Sequence, residues 1–141
     1  MYFANNHGMK DILIVDDEKP FLLSLAEGLG FYSRYFNVIT AESAEKAMEI
    51  LRTVVVDLVV TDLKMPGTSG FELVGYIKER FLNIPVIVMT AFGDRDVEQR
   101  LHELGIAGYL EKPLDLETVV TRILSVEKVS ALPDVSRQTT R

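Results

Sequence analysis

Five polar residues stand where short apolar runs stop. Asp16 and Asp17 follow Asp11-Ile12-Leu13-Ile14-Val15, and Asp62 follows Asp57-Leu58-Val59-Val60-Thr61. Thr90 ends the run 85–90 (PVIVMT), and the run 107–110 leads into Lys112. If these runs are strands of one open parallel sheet, all five side chains reach the crevice at its carboxyl edge. Three carboxylates there repel one another, and without a counter-charge at least one is pushed toward its protonated form. A hard divalent cation resolves the conflict. Mg²⁺ takes oxygen ligands, needs few protein carboxylates, and keeps waters that a phosphate displaces. With an ammonium and a hydroxyl alongside, one remaining use for such a carboxylate is to accept a phosphoryl group itself.

The elements that must position these residues are legible in the apolar spacing. Lys19-Pro20 opens a first helix with Pro at or near its first position, Leu22, Leu25, Ala26 and Leu29 share one face, and Gly30 is the expected C′ stop. A second strand is expected over 37–41, then a helix from Ser43 that turns Ala44, Ala47, Met48 and Leu51 inward. The third strand is expected over 57–61, followed by Pro66-Gly67 as a type II turn. Ser69-Gly70-Phe71-Glu72 matches a capping box and starts a helix with Val74, Ile77 and Phe81 inward. After the strand at 85–90, Asp94 is the expected cap of a fourth helix carrying Val97, Leu101 and Leu104 and closed by Gly105. A fifth strand at 107–110 precedes a fifth helix with Asp115 as N-cap and Leu116, Val119, Val120, Ile123 and Leu124 on its apolar side. The strand runs are continuously apolar rather than alternating, so both faces are buried and the sheet is parallel with helices on each side. Right-handed crossovers leave few arrangements, and the expected fold is a (βα)5 doubly wound, flavodoxin-like α/β sheet with strand order 2-1-3-4-5.

Composition narrows the function classes. The 141 residues include 21 acidic and 15 basic side chains, a net charge of −6, with no Cys. That length suits one domain, and without Cys no disulfide, thiolate metal site or cysteine nucleophile is available. The longest apolar stretch, Ile84 to Phe92, is far below the ~20 residues of a membrane span. No signal peptide is expected at the amino terminus, so the default location is the cytoplasm. The acidic balance argues against direct nucleic-acid binding by this segment. The loop Asp16-Asp17-Glu18-Lys19-Pro20 would repel a bare phosphate, Gly28 and Gly30 fall inside a helix, and no Gly-x-x-x-x-Gly-Lys occurs, so nucleotide and flavin binding are not expected. His7 and His102 lack neighbouring ligands and read as surface residues.

Val15-Asp16-Asp17-Glu18, Thr61-Asp62-Leu63-Lys64-Met65-Pro66-Gly67, Thr90-Ala91 and Tyr109-Leu110-Glu111-Lys112-Pro113 together resemble the receiver domain of bacterial two-component response regulators. The resemblance divides the chain into a leader (1–9), a receiver domain (10–128) and a tail or truncated linker (129–141). It implies that Asp62 is the phosphoacceptor, with Thr90 and Lys112 contacting the phosphoryl group. The implied ligands of Mg²⁺ (or Mn²⁺) are Asp17, Asp62, Asp16 through a water, and the backbone carbonyl of Lys64. It further implies a cis bond before Pro113, a switch made by Thr90 and Tyr109, and lifetime tuning by Lys64 and Phe92. The implied partners are a sensor histidine kinase or histidine phosphotransfer protein. The implied output is a changed helix 4–strand 5–helix 5 face that controls a partner or output domain and offers a homodimer surface. Such a domain is not an enzyme beyond its own phosphorylation and dephosphorylation. Two other readings share parts of the pattern. A Mg²⁺-dependent phosphohydrolase with an aspartyl-phosphate intermediate would want an acid two residues after Asp62, where Lys64 stands. A flavodoxin-like scaffold is disfavoured by the acidic first loop.

Overall fold

A computed structural model describes residues 9–32, 34–91 and 95–126. Among them five strands and five helices alternate: β1 (Lys10–Val15), α1 (Lys19–Gly30), β2 (Phe36–Ala41), α2 (Ala44–Thr53), β3 (Leu58–Asp62), α3 (Gly70–Arg80), β4 (Val86–Thr90), α4 (Arg95–Glu103), β5 (Gly108–Glu111) and α5 (Leu116–Val126). The strands form one parallel sheet in the order β2-β1-β3-β4-β5. This is the doubly wound arrangement expected from the apolar runs.

Each strand feeds two separate cores because successive side chains point to opposite faces. Leu13, Val15, Val59, Val86 and Val88 pack on one side against Ala47 and Leu51 of α2, Leu73, Val74 and Ile77 of α3 and Leu101 of α4. Ile12, Ile14, Leu58, Val60, Ile87 and Met89 pack on the other against Leu22, Leu25 and Leu29 of α1 and Val119, Val120 and Ile123 of α5. Burial on both faces is what selects uninterrupted β-branched runs over alternation.

The helix starts follow local chemistry. The Ser43 side chain accepts from Lys46 N at 3.0 Å. At α3 the capping box is complete, with Ser69 Oγ accepting from Glu72 N at 3.2 Å and Glu72 Oε1 accepting from Ser69 N at 2.8 Å. Asp115 Oδ1 accepts from Thr118 N at 2.7 Å and opens α5, and this bond lowers the Asp115 pKa. Gly67 (φ 78°) and Gly105 (φ 81°) take the left-handed backbone that their turns require. Gly30 does not, and here the sequence expectation needs correction. It is the last residue of α1, and the helix closes through Phe31 N to Gly28 O at 3.1 Å and Tyr32 N to Leu29 O at 2.8 Å. These tight i→i+3 bonds satisfy the terminal carbonyls without a left-handed residue. Asp94 lies outside the described residues, as do His7 and the tail. No described helix is long and apolar enough to cross a membrane.

Candidate functional site

The strand order changes direction between β1 and β3, where ligands of doubly wound sheets bind. Val15 pairs with Thr61, so the next residues, Asp16 and Asp62, stand side by side at the carboxyl edge. Asp62 is the last residue of β3 rather than the first of the following loop, because the ladder continues through its pairing with Met89. Asp16 is fully buried, Asp62 is 6% exposed, and Asp17 is exposed at the rim. Oxygens of Asp16, Asp17 and Asp62 all lie within 4.8 Å of one another.

Hydrogen bonds fix each carboxylate. Asp16 Oδ1 accepts from Glu18 N at 2.8 Å, and its Oδ2 accepts from Lys112 Nζ at 2.7 Å. Asp62 Oδ1 accepts from Leu63 N at 2.8 Å, and its Oδ2 lies 3.4 Å from Lys112 Nζ. The Lys112 backbone N donates to Thr90 O at 3.0 Å, which ties the lysine to the end of β4. Burial raises the Asp62 pKa and Asp16 adds repulsion, while Lys112 and the Leu63 amide pull it down without prevailing. At Lys112 burial opposes the charge, yet the Asp16 hydrogen bond and charge, with Asp62 behind them, outweigh it and raise the pKa. The lysine therefore stays an ammonium, and Asp62 is a carboxylate held at a cost. Clustered hard oxygens with one fully buried member form a donor set that suits Mg²⁺.

Thr90 is fully buried at the end of β4, one residue past Met89, the ladder partner of Asp62. Thr90 and Lys64 line one cleft with Leu63, Met65, Phe71 and Val97. Tyr109 is partly buried on β5 opposite Val88, and the Lys112–Pro113 peptide is cis. The structure thus gathers Asp16, Asp17, Asp62 and Lys112 directly, and places Thr90 and Lys64 along the adjoining cleft. Phe92 lies outside the described residues.

The 63–69 loop is drawn tight against the acidic cluster. Gly70 N donates to Leu63 O at 2.8 Å, and a Cβ on Gly70 would meet Asp62 O and the Leu63 Cα. Gly70→Ala should therefore cost about 1–3 kcal/mol through overpacking against immobile backbone. Urea denaturation measures it, and an unchanged midpoint would contradict the contact. At the loop tip Glu45 Oε2 accepts from Thr68 N at 3.0 Å, and hydrogen bonds from Thr68 lower the Glu45 pKa. The Glu45–Thr68 contact is marked by no motif, since it joins residues of ordinary type 23 positions apart. Phe21, whose ring centroid lies 4.4 Å from Lys112 Nζ, also escapes the sequence reading. Its only signal is an i, i+4 spacing with Leu25, which marks packing and not a site.

The response regulator receiver domain family matches residues 12–124 of this chain. Hybrid signal transduction histidine kinase D of Dictyostelium discoideum is 34% identical over 86% of the chain, and the match spans 8% of that protein. Phosphate regulon transcriptional regulatory protein PhoB of Pseudomonas aeruginosa is 34% identical over 83% of the chain and is matched over 51% of its own length. The chain therefore corresponds to a part of each relative. Among solved structures, a CheY-like response regulator receiver domain protein from Methanospirillum hungatei superposes with a TM-score of 0.81 at 23% identity. That alignment covers 86% of this chain and 96% of the other.

Proposed function

Because this chain belongs to the response regulator receiver domain family, we propose that it is a phosphorylation-activated switch whose acceptor is Asp62. One observation carries the reading: Lys112 Nζ bridges Asp16 and Asp62 at the switch point of the sheet, beside a carboxylate whose pKa is raised. A sensor histidine kinase or histidine phosphotransfer protein is the donor. The phosphorus–nitrogen bond of its phosphohistidine breaks as a bond forms from an Asp62 carboxylate oxygen to phosphorus, and the bonding pair returns to the imidazole. Asp17, Asp62 and the Lys64 carbonyl would hold Mg²⁺, and Asp16 would reach it through a water. When bound, this ion supplies positive charge that offsets the anionic oxygens of the transfer. Lys112 turns its ammonium to a phosphoryl oxygen, and the Thr90 hydroxyl donates to another.

The added charge acts at a distance only by favouring one of two packings. Thr90 moves toward the phosphoryl group, Tyr109 follows, and the α4–β5–α5 face changes its affinity for a partner, an output domain or a second copy. Lys64 at the cleft, and Phe92 beyond the described residues, set how long the modification lasts. The domain spans 10–128, acts in the cytoplasm, contacts no nucleic acid itself and turns over no external substrate.

Acetyl phosphate with Mg²⁺ replaces the protein donor in the test. Intact-mass spectrometry should show one phosphoryl group added, with peptide mapping placing it at Asp62 and chelation by EDTA preventing it. An unchanged mass, or a phosphoryl group elsewhere, would sink the reading.

A further inference from the structure

Phe21, in the first turn of α1, takes no part in the transfer just described, yet it faces the lysine that does. Its ring centroid is 4.4 Å from Lys112 Nζ. The same ammonium meets Asp16 Oδ2 at 2.7 Å, and Glu18 Oε1 and Asp62 Oδ2 at 3.4 Å each. Three carboxylates therefore compete for one flexible side chain, and the Glu18 side chain is 65% exposed while that of Lys112 is 11% exposed. A lysine stem has four rotatable bonds and a point-like charge, so its own geometry does not choose among such partners. An aromatic face attracts the ammonium through its quadrupole without using any carboxylate lone pair. Phe21 can bear that load because it is itself anchored, partly buried against the core shared by α1 and α5.

We propose that Phe21 is a positioning residue for phosphoryl transfer, its ring holding the Lys112 ammonium between Asp16 and Asp62 rather than out toward Glu18. The proposal rests on Asp62 as the acceptor. The ring neutralises nothing, so the ammonium keeps its full charge for a phosphoryl oxygen. It also covers one side of the ammonium against water, which strengthens the interactions left to it.

The experiment compares wild type, Phe21→Leu and Phe21→Tyr in the full chain. Phosphoryl incorporation from acetyl phosphate at saturating Mg²⁺ gives the rate, and NMR of the Lys112 ammonium reports the ring through its upfield shift. Thermal denaturation checks folding. Phe21→Leu, which keeps apolar bulk, should react about three- to tenfold more slowly and lose the upfield shift. Phe21→Tyr, which keeps the ring, should retain the wild-type rate and shift. Equal rates in all three proteins would overturn the proposal, and so would equal slowing in both variants with an unmoved Lys112 signal. A wild-type protein that accepts no phosphoryl group would instead overturn the Asp62 reading on which it stands.

Discussion

Asp62→Asn should take up no phosphoryl group from acetyl phosphate and Mg²⁺, and should also be more stable than the wild type. The first half follows from replacing the nucleophilic oxygen by an amide that cannot carry an acyl phosphate. The second follows from electrostatics. Burial, with repulsion from Asp16, raises the Asp62 pKa above its ordinary value. A raised folded-state pKa means that the folded chain holds the proton more tightly than the unfolded one does. Its contribution is present below the unfolded value and is lost as pH rises through the folded value. At neutral pH the ionised carboxylate therefore lowers stability. Asn keeps the shape and the Leu63 N–H acceptor while removing the charge, so a gain of about 1 kcal/mol is expected. Thermal denaturation at neutral pH without divalent ions measures it. The gain should shrink as the pH falls toward the carboxylate range, and a less stable Asp62→Asn would contradict that balance of burial and charge.

Lys112→Met should move stability the other way and further. The substitution keeps an unbranched apolar stem but leaves buried Asp16 and Asp62 without the ammonium that bridges them. Breaking a buried charge pair from one side costs about 3–5 kcal/mol, because the remaining charge stays desolvated. The loss should be largest at neutral pH and smaller at roughly pH 4, where unperturbed carboxylates begin to protonate. Mg²⁺ at about a hundred times its dissociation constant should return about 2.7 kcal/mol by mass action on the folded state. Urea denaturation with and without the ion separates these outcomes. A variant of wild-type stability, or one indifferent to Mg²⁺, would show that Lys112 is not the counter-charge of the cluster.

The strands, their order and the acidic corner were readable because they rest on local pattern. Runs such as Ile12-Leu13-Ile14-Val15 have no polar position to expose, and Ser69 and Asp115 carry their caps within three residues. Boundaries that depend on ladder pairing were less visible. A carboxylate looks like the end of an apolar run, so β3 was expected at 57–61, although Asp62 lies inside the ladder and Asp57 outside it. Asp57 instead accepts from Asp11 N at 2.8 Å, capping the opposite edge of the sheet. Gly30 misled for a related reason, since glycine permits a left-handed stop but does not compel one. The contacts that shape the site came least of all from pattern. Glu45 meets Thr68 across 23 positions, and the Phe21 ring meets Lys112 from the other end of the domain's sequence, distances over which no periodicity operates.

The place of Asp62 in β3 carries a consequence for how information passes through this molecule. Its strand is flanked by β1 and β4, and both faces around it are packed. A phosphoryl group on Asp62, the proposed acceptor, would therefore sit on a central strand whose backbone is held by a neighbour on each side. Any response must be expressed by side chains and by the rim of loops beyond the strand ends. A message inscribed on the anvil is audible only in what rests on it.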